Sequence, residues 1–322
     1  MRINRGLLFW GLGFVTAGAV ALAIQQNVLD RDVMAGAWRL WPLILVAIGL
    51  SLIVARTPAA PLGTALAAIV IGTIVGTAIA VGPGVSFNCG DGGNQPTLAN
   101  QSGTFGDAAS LDWRLNCGSI SVSTTDGSGW TAATGSTGSQ KPALSNDPAR
   151  LNIESASNNG GGWWDDQGRD RWEITLPTTP AYDGQIHANA GKLDLDLSGA
   201  TFTSLEIQPN AADLHFRLED ASIEGFDLEM NAGSANFTVS SGTTLTGSIT
   251  MNAGSVQLCA PSGTPMRITT GGTLFSAELD GNGLTHDGDT WESSNYASAQ
   301  QRITLNVHGN VGSFKLNPSG GC

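Results

Sequence analysis

The feature that most constrains the fold of this chain is a short phrase repeated at a fixed interval. The four copies start 21 residues apart and are Asn189-Ala190-Gly191, Asn210-Ala211-Ala212, Asn231-Ala232-Gly233 and Asn252-Ala253-Gly254. A constant period of this length is typical of repeat architectures, in which each unit packs mainly on its neighbours. The repeat therefore predicts a stack of near-identical structural units.

Apolar and polar residues alternate after each copy of the phrase. Two apolar columns keep the same spacing: Leu193, Leu214, Ala235, Val256, Ala277, and Leu195, Phe216, Phe237, Leu258, Leu279. Alternation with period two is typical of a strand with one buried face, and a second strand follows in each unit. Stacked units about 4.8 Å apart would join these columns into one core.

We therefore predict a single-chain β-solenoid (β-helix) with coils of about 21 residues. The alternative is an antiparallel sandwich, which also has many short strands separated by turn residues. The constant period favours the solenoid, because hairpins in a sandwich have no reason to keep one spacing.

The same stacking would place the asparagines in one file at the corners of the coils. Two off-register copies of the phrase, starting at Asn116 and Asn310, extend the predicted coils to about residues 111–316. Amide side chains in register can hydrogen-bond along such a ladder, and Asn and Gly tolerate tight corners. The predicted structural corner residues are Asn116, Asn189, Asn210, Asn231, Asn252 and Asn310.

Three apolar runs in residues 1–82 predict a region of three transmembrane helices, at about residues 6–24, 40–55 and 59–81. A span needs about 20 residues. Arginines precede the first run and separate the second from the third, so the positive-inside rule predicts a cytoplasmic N-terminus and an extracytoplasmic C-terminal domain. A signal peptide cleaved near Ala21-Leu22-Ala23 is the alternative for the first run, and it leaves the C-terminal domain outside as well.

The remainder of the chain divides into a flexible linker, residues 83–106, and an extracytoplasmic solenoid domain, residues 107–322. The linker is rich in Gly, Asn, Ser and Pro, a composition typical of a tether. The 322-residue chain has a net charge of −12, which divides into +3 for residues 1–82 and −15 for the rest. Such an acidic domain excludes nucleic acid as a partner.

The membrane region resembles the LiaI/LiaF-type membrane regions of bacterial envelope proteins. The resemblance rests on Arg5-Gly6-Leu7-Leu8 and on Trp38-Arg39-Leu40-Trp41-Pro42-Leu43-Ile44-Leu45, although this chain has three predicted spans and the LiaF pattern has four. Trp172-Glu173-Ile174-Thr175-Leu176-Pro177 and residues 189–199 resemble the "toast-rack" and "putative adhesin" β-solenoid domains. The resemblance implies a role in envelope-stress sensing or signalling.

The interruptions between coils are the candidate places for a specific function. One of them, in residues 158–166, is rich in glycine and carries two adjacent tryptophans beside two carboxylates. These side chains could contact a sugar or a peptide, or fold back to cover an open end of the solenoid. The candidate ligand-contacting residues are Trp163, Trp164, Asp165 and Asp166.

The four cysteines lie in the predicted exterior, where disulfides persist. Four cysteines allow three pairings, of which Cys89–Cys117 would join the linker to the first coil. No metal or cofactor site is predicted. Calcium is the alternative, because Asp280-Gly281-Asn282-Gly283 and Asp287-Gly288-Asp289 are oxygen-rich loops, although their spacing does not fit an EF-hand.

We find no catalytic residues in the sequence and predict that the protein is not an enzyme. Its histidines have no Ser or Cys partner in a recognisable motif, and Asp194, Asp196 and Asp213 are interpreted as a solvated strand face. The first hypothesis is a membrane protein that senses or scaffolds envelope components, with envelope proteins or cell-wall glycans as partners. The alternatives are an adhesin or glycan- or peptide-binding module, and a polysaccharide-active β-helix enzyme. The sequence does not determine the oligomeric state.

Overall fold

The structure, a computed structural model, describes residues 11–12, 14–16, 68–69, 89, 95–156 and 169–318. The chain forms two compact units, Met1–Val85 and Ser86–Cys322. The described residues of the first unit are helical, and no helix within them is long and apolar enough to cross a membrane. The three predicted spans lie almost entirely outside the described residues.

The described part of the second unit is built of strands, with one 3₁₀ helix at Tyr296–Ser298. The strands are β1 Ala99–Thr104, β2 Ala108–Thr125, β3 Gly129–Ser136, β4 Ala143–Asp147, β5 Arg150–Glu154, β6 Asp170–Pro177, β7 Ala181–Asp196, β8 Thr201–Leu218, β9 Ser222–Val239, β10 Thr244–Cys259, β11 Met266–Glu278, β12 Leu284–Asp287, β13 Thr290–Ser293 and β14 Ile303–Leu316.

Seven strands form the parallel stack predicted from the repeat. Their spatial order is β2-β7-β8-β9-β10-β14-β11. The register pairs residues one period apart, such as Leu193 with Leu214 and Phe216 with Phe237, and all four side chains are buried. The prediction of an all-β repeat fold is therefore confirmed, and the apolar columns form its core.

Each long strand makes a whole coil, whereas the sequence predicted two separate strands per coil. In β8 every second residue from Leu205 to Pro209 is buried, then Asn210 is exposed, Ala211 is half-buried and Ala212 is buried. The inward alternation thus shifts by one residue at the phrase, which divides the strand into a first leg before the asparagine and a second leg after it. Backbone pairing continues through the corner, so the two legs form one strand.

Glycine follows two residues after most of the asparagines, because neighbouring backbones approach closely there. Gly233 has a φ of +136°, in the region that favours glycine. A Cβ atom on Gly233 would lie 1.9 Å from the carbonyl oxygen of Ala212 on the adjacent strand. The corner therefore depends on the absence of a side chain at this position.

The C-terminal strand corrects the predicted order of the last coils. Strand β14 inserts between β10 and β11, so Leu258 lies beside Leu316 and Ala277 lies beside Phe314. Leu279 therefore does not follow Leu258 directly, as the 21-residue period predicted. Strand β14 carries its own copy of the phrase at Asn310, so it fits beside β10 as well as β11 does. The spacing along the chain does not determine which of the two strands becomes the neighbour of β10.

Antiparallel strands cover parts of both ends of the stack. At one end β3 pairs with β6, β1 pairs with β3, and β4 pairs with β5; at the other end β13 pairs with β11, and β12 pairs with β13. The predicted linker, residues 83–106, thus contains strand β1, and residues 126–149, between β2 and β5, contain strands β3 and β4. The local composition of these segments does not predict strands. They are strands because they form backbone hydrogen bonds with the edge of a neighbouring strand.

Aromatic side chains fill the middle of the core. The rings of Phe216 and Phe237 stack with their centroids 4.4 Å apart, and Phe226 packs edge-on against both. Such pairs contribute about 0.5–1.5 kcal/mol each beyond the area they bury. Stacking of like residues one period apart therefore reinforces the register that the corners impose.

We predict that Gly233→Ala destabilises the domain by about 3 kcal/mol, because the new methyl group meets a backbone carbonyl and the backbone is strained at positive φ. Chemical denaturation of purified protein would measure the free energy of unfolding. Gly129→Ala is the matched control, since a Cβ atom there would lie 3.9 Å from its nearest neighbour, the carbonyl oxygen of Gly103. Equal effects of the two substitutions would contradict the close approach at the corner.

Candidate functional site: a groove along the asparagine ladder

The corner asparagines form a continuous hydrogen-bonded ladder on the surface of the solenoid. In each step the Nδ2 amide donates to the Oδ1 atom of the preceding asparagine. The donor–acceptor pairs are Asn189–Asn116 at 3.1 Å, Asn210–Asn189 at 2.9 Å, Asn231–Asn210 at 2.7 Å, Asn252–Asn231 at 2.6 Å and Asn310–Asn252 at 2.8 Å. The file thus crosses six strands and includes both off-register copies of the phrase.

Each interior asparagine keeps hydrogen-bonding capacity beyond the ladder. A carboxamide has two N–H donors and an oxygen with two lone pairs, and the ladder uses one donor and one lone pair. The asparagines are exposed. The ladder therefore presents a donor and an acceptor to solvent at every coil, at a spacing of about 4.8 Å.

A second row of polar side chains runs beside the ladder, two residues earlier on each strand. The row consists of Arg114, His187, Gln208, Glu229, Thr250 and His308. This row was not predicted from the sequence, where the histidines were considered only as members of a catalytic motif. The signal was present in the spacing, because residues 187, 208, 229 and 250 keep the 21-residue period.

Two adjoining cavities follow these rows, and we call them together the corner groove. One, of about 330 Å³, has the second row from His187 to Thr250 and the ladder from Asn189 to Asn252 in its lining. The other, of about 430 Å³, is lined by residues that include Arg114, Asn116 and Glu154, and it shares His187 and Asn189 with the first. The corner groove therefore extends along five successive strands of the parallel stack.

Charges of both signs lie in and beside the corner groove. Arg114 donates to the carboxylate of Asp112 at 3.2 Å, and this bond raises the pKa of Arg114, which stays charged. Gln208 donates to Glu206 at 2.6 Å and lies 3.5 Å from the carboxylate of Glu229. Mixed charges and amides suit an uncharged polar ligand better than a strongly charged one.

The coil beyond Asn116 has an insertion where the other coils have their corner. Strands β5 and β6 pair with the two legs of β2, and the chain between Glu154 and Asp170 takes the place of the phrase. Ser155 Oγ accepts a hydrogen bond of 2.9 Å from the backbone N–H of Asn116. The predicted ligand-contacting residues Trp163, Trp164, Asp165 and Asp166 belong to this insertion and lie outside the described residues.

Asp170 closes the base of the insertion and is buried. Burial raises the pKa of its carboxyl group, and hydrogen bonds with Ser155 and Ser136 partly offset that rise. The carboxyl group thus forms part of the polar network that joins the insertion to the end of the ladder through Ser155.

A disulfide joins Cys89 to Cys117, which follows the first asparagine of the ladder. This bond ties the start of the second unit to the corner of β2. Cys89–Cys117 is one of the pairings that the four cysteines allow. Cys259 is disulfide-bonded as well, and Cys322 lies outside the described residues.

The carboxylates that the enzyme alternative requires are engaged in separate contacts. Asp194 pairs with Lys192 at 3.0 Å and Asp213 accepts from Ser234 at 2.8 Å. Burial raises the pKa of Asp196, but hydrogen bonds from Ser198 and Arg217 outweigh it and the net pKa is lowered. A general acid for glycoside hydrolysis needs a raised pKa, so Asp196 does not suit that role.

The loops considered for calcium lie at the far end of the stack. Gly288 and Asp289 are the two turn residues of the hairpin formed by β12 and β13, and Gly288 has the positive φ typical of such turns. Among the described residues there is no group of three or more His, Cys, Asp or Glu side chains placed to hold a metal ion.

Comparison with protein families identifies two parts of the chain. Residues 97–240 match the family described as the N-terminal domain of toast_rack, DUF2154. Residues 8–53 match the LiaI-LiaF-like transmembrane region. The resemblance inferred from the sequence is therefore confirmed: one part of the chain matches the LiaI-LiaF-like model and another part matches the toast-rack model.

Solved structures with a similar fold include proteins described as adhesins. A "putative cell adhesion protein" from Clostridium sporogenes is 13% identical, with a TM-score of 0.48, covering 68% of this chain and 98% of its own. A "putative adhesin" from Bacteroides fragilis is 14% identical, with a TM-score of 0.27, covering 70% of this chain and 100% of its own. No curated protein matches this chain in sequence.

We predict that Asn231→Ala lowers the free energy of unfolding by about 1 kcal/mol, since it removes two ladder hydrogen bonds at an exposed site. Asn310→Ala removes one ladder bond and should cost about half as much. Denaturant titration of the two variants would measure the difference. Equal losses would show that each asparagine acts through its own corner conformation and that the ladder contributes nothing.

Proposed function

We propose that this protein is a non-enzymatic bacterial membrane protein that displays its β-solenoid outside the cytoplasmic membrane. In this proposal the displayed domain senses or scaffolds components of the cell envelope. The observation that carries the proposal is the combination, in one chain, of a LiaI-LiaF-like transmembrane region and a toast-rack domain.

The chemistry of the second unit supports an extracytoplasmic location. Three of its cysteines are disulfide-bonded, and disulfides persist in oxidising compartments. The surface carboxylates weighed for catalysis are held in ion pairs and hydrogen bonds, so the described surface supports a binding or scaffolding role better than hydrolysis.

We expect a protease added to intact spheroplasts to degrade the solenoid domain, because the positive-inside rule places residues 83–322 outside. Immunoblotting with one antibody against the solenoid and another against a cytoplasmic marker would measure accessibility. The marker must remain intact until lysis. Protection of the solenoid until the same lysis step would overturn the proposed orientation.

The corner groove favours a second candidate function, the binding of an extended polar chain such as a cell-wall glycan or a peptide. The groove extends along five strands, has amide side chains on each of them or on their neighbours in its lining, and repeats the ladder's donors and acceptors at each coil. A polymer with hydroxyl or amide groups along its length could bind several coils at once. Glu154, after which the insertion that carries Trp163 and Trp164 begins, lines one end of this groove.

We predict that the double variant Gln208→Ala/Glu229→Ala weakens binding to isolated cell-wall glycan by roughly tenfold or more, since each lost hydrogen bond to a ligand costs about 0.5–1.5 kcal/mol. Co-sedimentation of the protein with insoluble glycan would measure the bound fraction. A Trp163→Ala/Trp164→Ala variant tests the insertion in the same assay.

The matched control is Gln257→Ala, which removes an outward-facing glutamine from the second leg of β10, away from the groove. Equal binding by the wild type, the groove variant and the control would reject the groove as a glycan site. Loss of binding in the tryptophan variant alone would assign the contact to the insertion.

A further inference from the structure

The second leg of β11 forms an open edge of the parallel stack. Residues 272–278 pair with β14 on one side, and no strand in the described part of the chain pairs with them on the other. The hairpin of β13 and β12 covers only the first leg, through residues 267–269. Among the described residues, the backbone N–H and C=O groups on this side of the second leg therefore have no partner strand.

This edge lacks the features that usually prevent strand addition. Natural edge strands are often very short or carry lysine or proline, whereas residues 272–278, with the sequence GTLFSAE, carry neither. The one charged residue, Glu278, is already paired with Lys315 of β14 at 3.0 Å.

Apolar surface accompanies the open edge. Leu274 is 71% exposed, and Val311 beside it on β14 is 51% exposed. Phe275 and Ala277 are only partly buried where they pack against the end of the core. Inward-facing residues on the interior strands have a neighbouring strand on both sides. Phe275 and Ala277 on the second leg of β11 have one on one side only, in the described part of the chain.

We propose that the open edge of β11 pairs with the same edge of a second copy of this chain, in an antiparallel, two-fold symmetric dimer. The strand is self-complementary about Ser276. Residues directly opposite in an antiparallel pair lie on the same face, so Phe275 of one copy faces Ala277 of the other on the inner side. Glu278 faces Leu274, and no like charges are opposed.

Two-fold pairing is favoured over a head-to-tail contact because it uses one surface twice and closes after two copies. A head-to-tail contact between this edge and a strand at the other end of the stack would leave edges free and continue into a filament. Dimerisation across β11 also leaves the corner groove of each copy accessible at the opposite strands, so the inference does not depend on what the groove binds.

Site-directed cross-linking of the full-length protein in membranes tests the inference. Ser276→Cys places a thiol on the two-fold axis, and Ser255→Cys is the matched control, because it lies in the same row two strands further from the edge. With a short bismaleimide we expect roughly tenfold more dimer from the edge variant, since only that position holds two thiols together. Equal yields from the two variants would overturn the dimer.

A second measurement does not rely on cross-linking. Ser276→Lys would bring two ammonium groups together at the axis and should convert the detergent-purified protein from dimer to monomer, whereas Ser255→Lys should leave the dimer intact. Light scattering gives the mass, and circular dichroism confirms that both variants are folded. A monomeric wild type, or wild-type assemblies that grow beyond two copies, would reject the closed dimer.

Discussion

The close approach of neighbouring backbones at the corner is the constraint on which the rest of the stack depends. At Gly233 there is no room for a side chain against the carbonyl oxygen of Ala212. A glycine in the same place on most other coils brings the strands together at one point and sets their parallel register. With that register set, residues one period apart must stack, and the columns through Phe216 and Phe237 become a continuous core.

The asparagine ladder and the corner groove follow from the same geometry. The residue two places before the glycine is exposed and repeats at every coil, so its side chain meets its own copy above and below. Asparagine can both donate and accept, which allows an unbroken file from Asn116 to Asn310. The neighbouring row of polar side chains then completes a groove whose chemistry repeats with the coil, which is a suitable arrangement for a polymeric ligand.

The described strands cover the two ends of the stack to different extents. The end at β2 is extended by β5 and β6 and covered by antiparallel strands on both legs. Within the part of the chain that the structure describes, strands cover only the first leg of the end at β11, and Leu274 on the second leg is exposed. An open stack keeps two edge strands, and an exposed edge is a template for pairing with another strand.

The sequence by itself determined the repeat, the buried columns and the corner file, because each is expressed by residue type at a constant spacing. Tertiary structure alone decided that β14 lies between β10 and β11, since two strands with the same pattern fit the same neighbour equally well. It also decided that residues 99–104 and 129–136 are strands, because backbone hydrogen bonds with neighbouring strands hold them extended. The second row of polar residues in the corner groove keeps the 21-residue spacing in the sequence. Only the structure shows that this row and the asparagine ladder line the same groove.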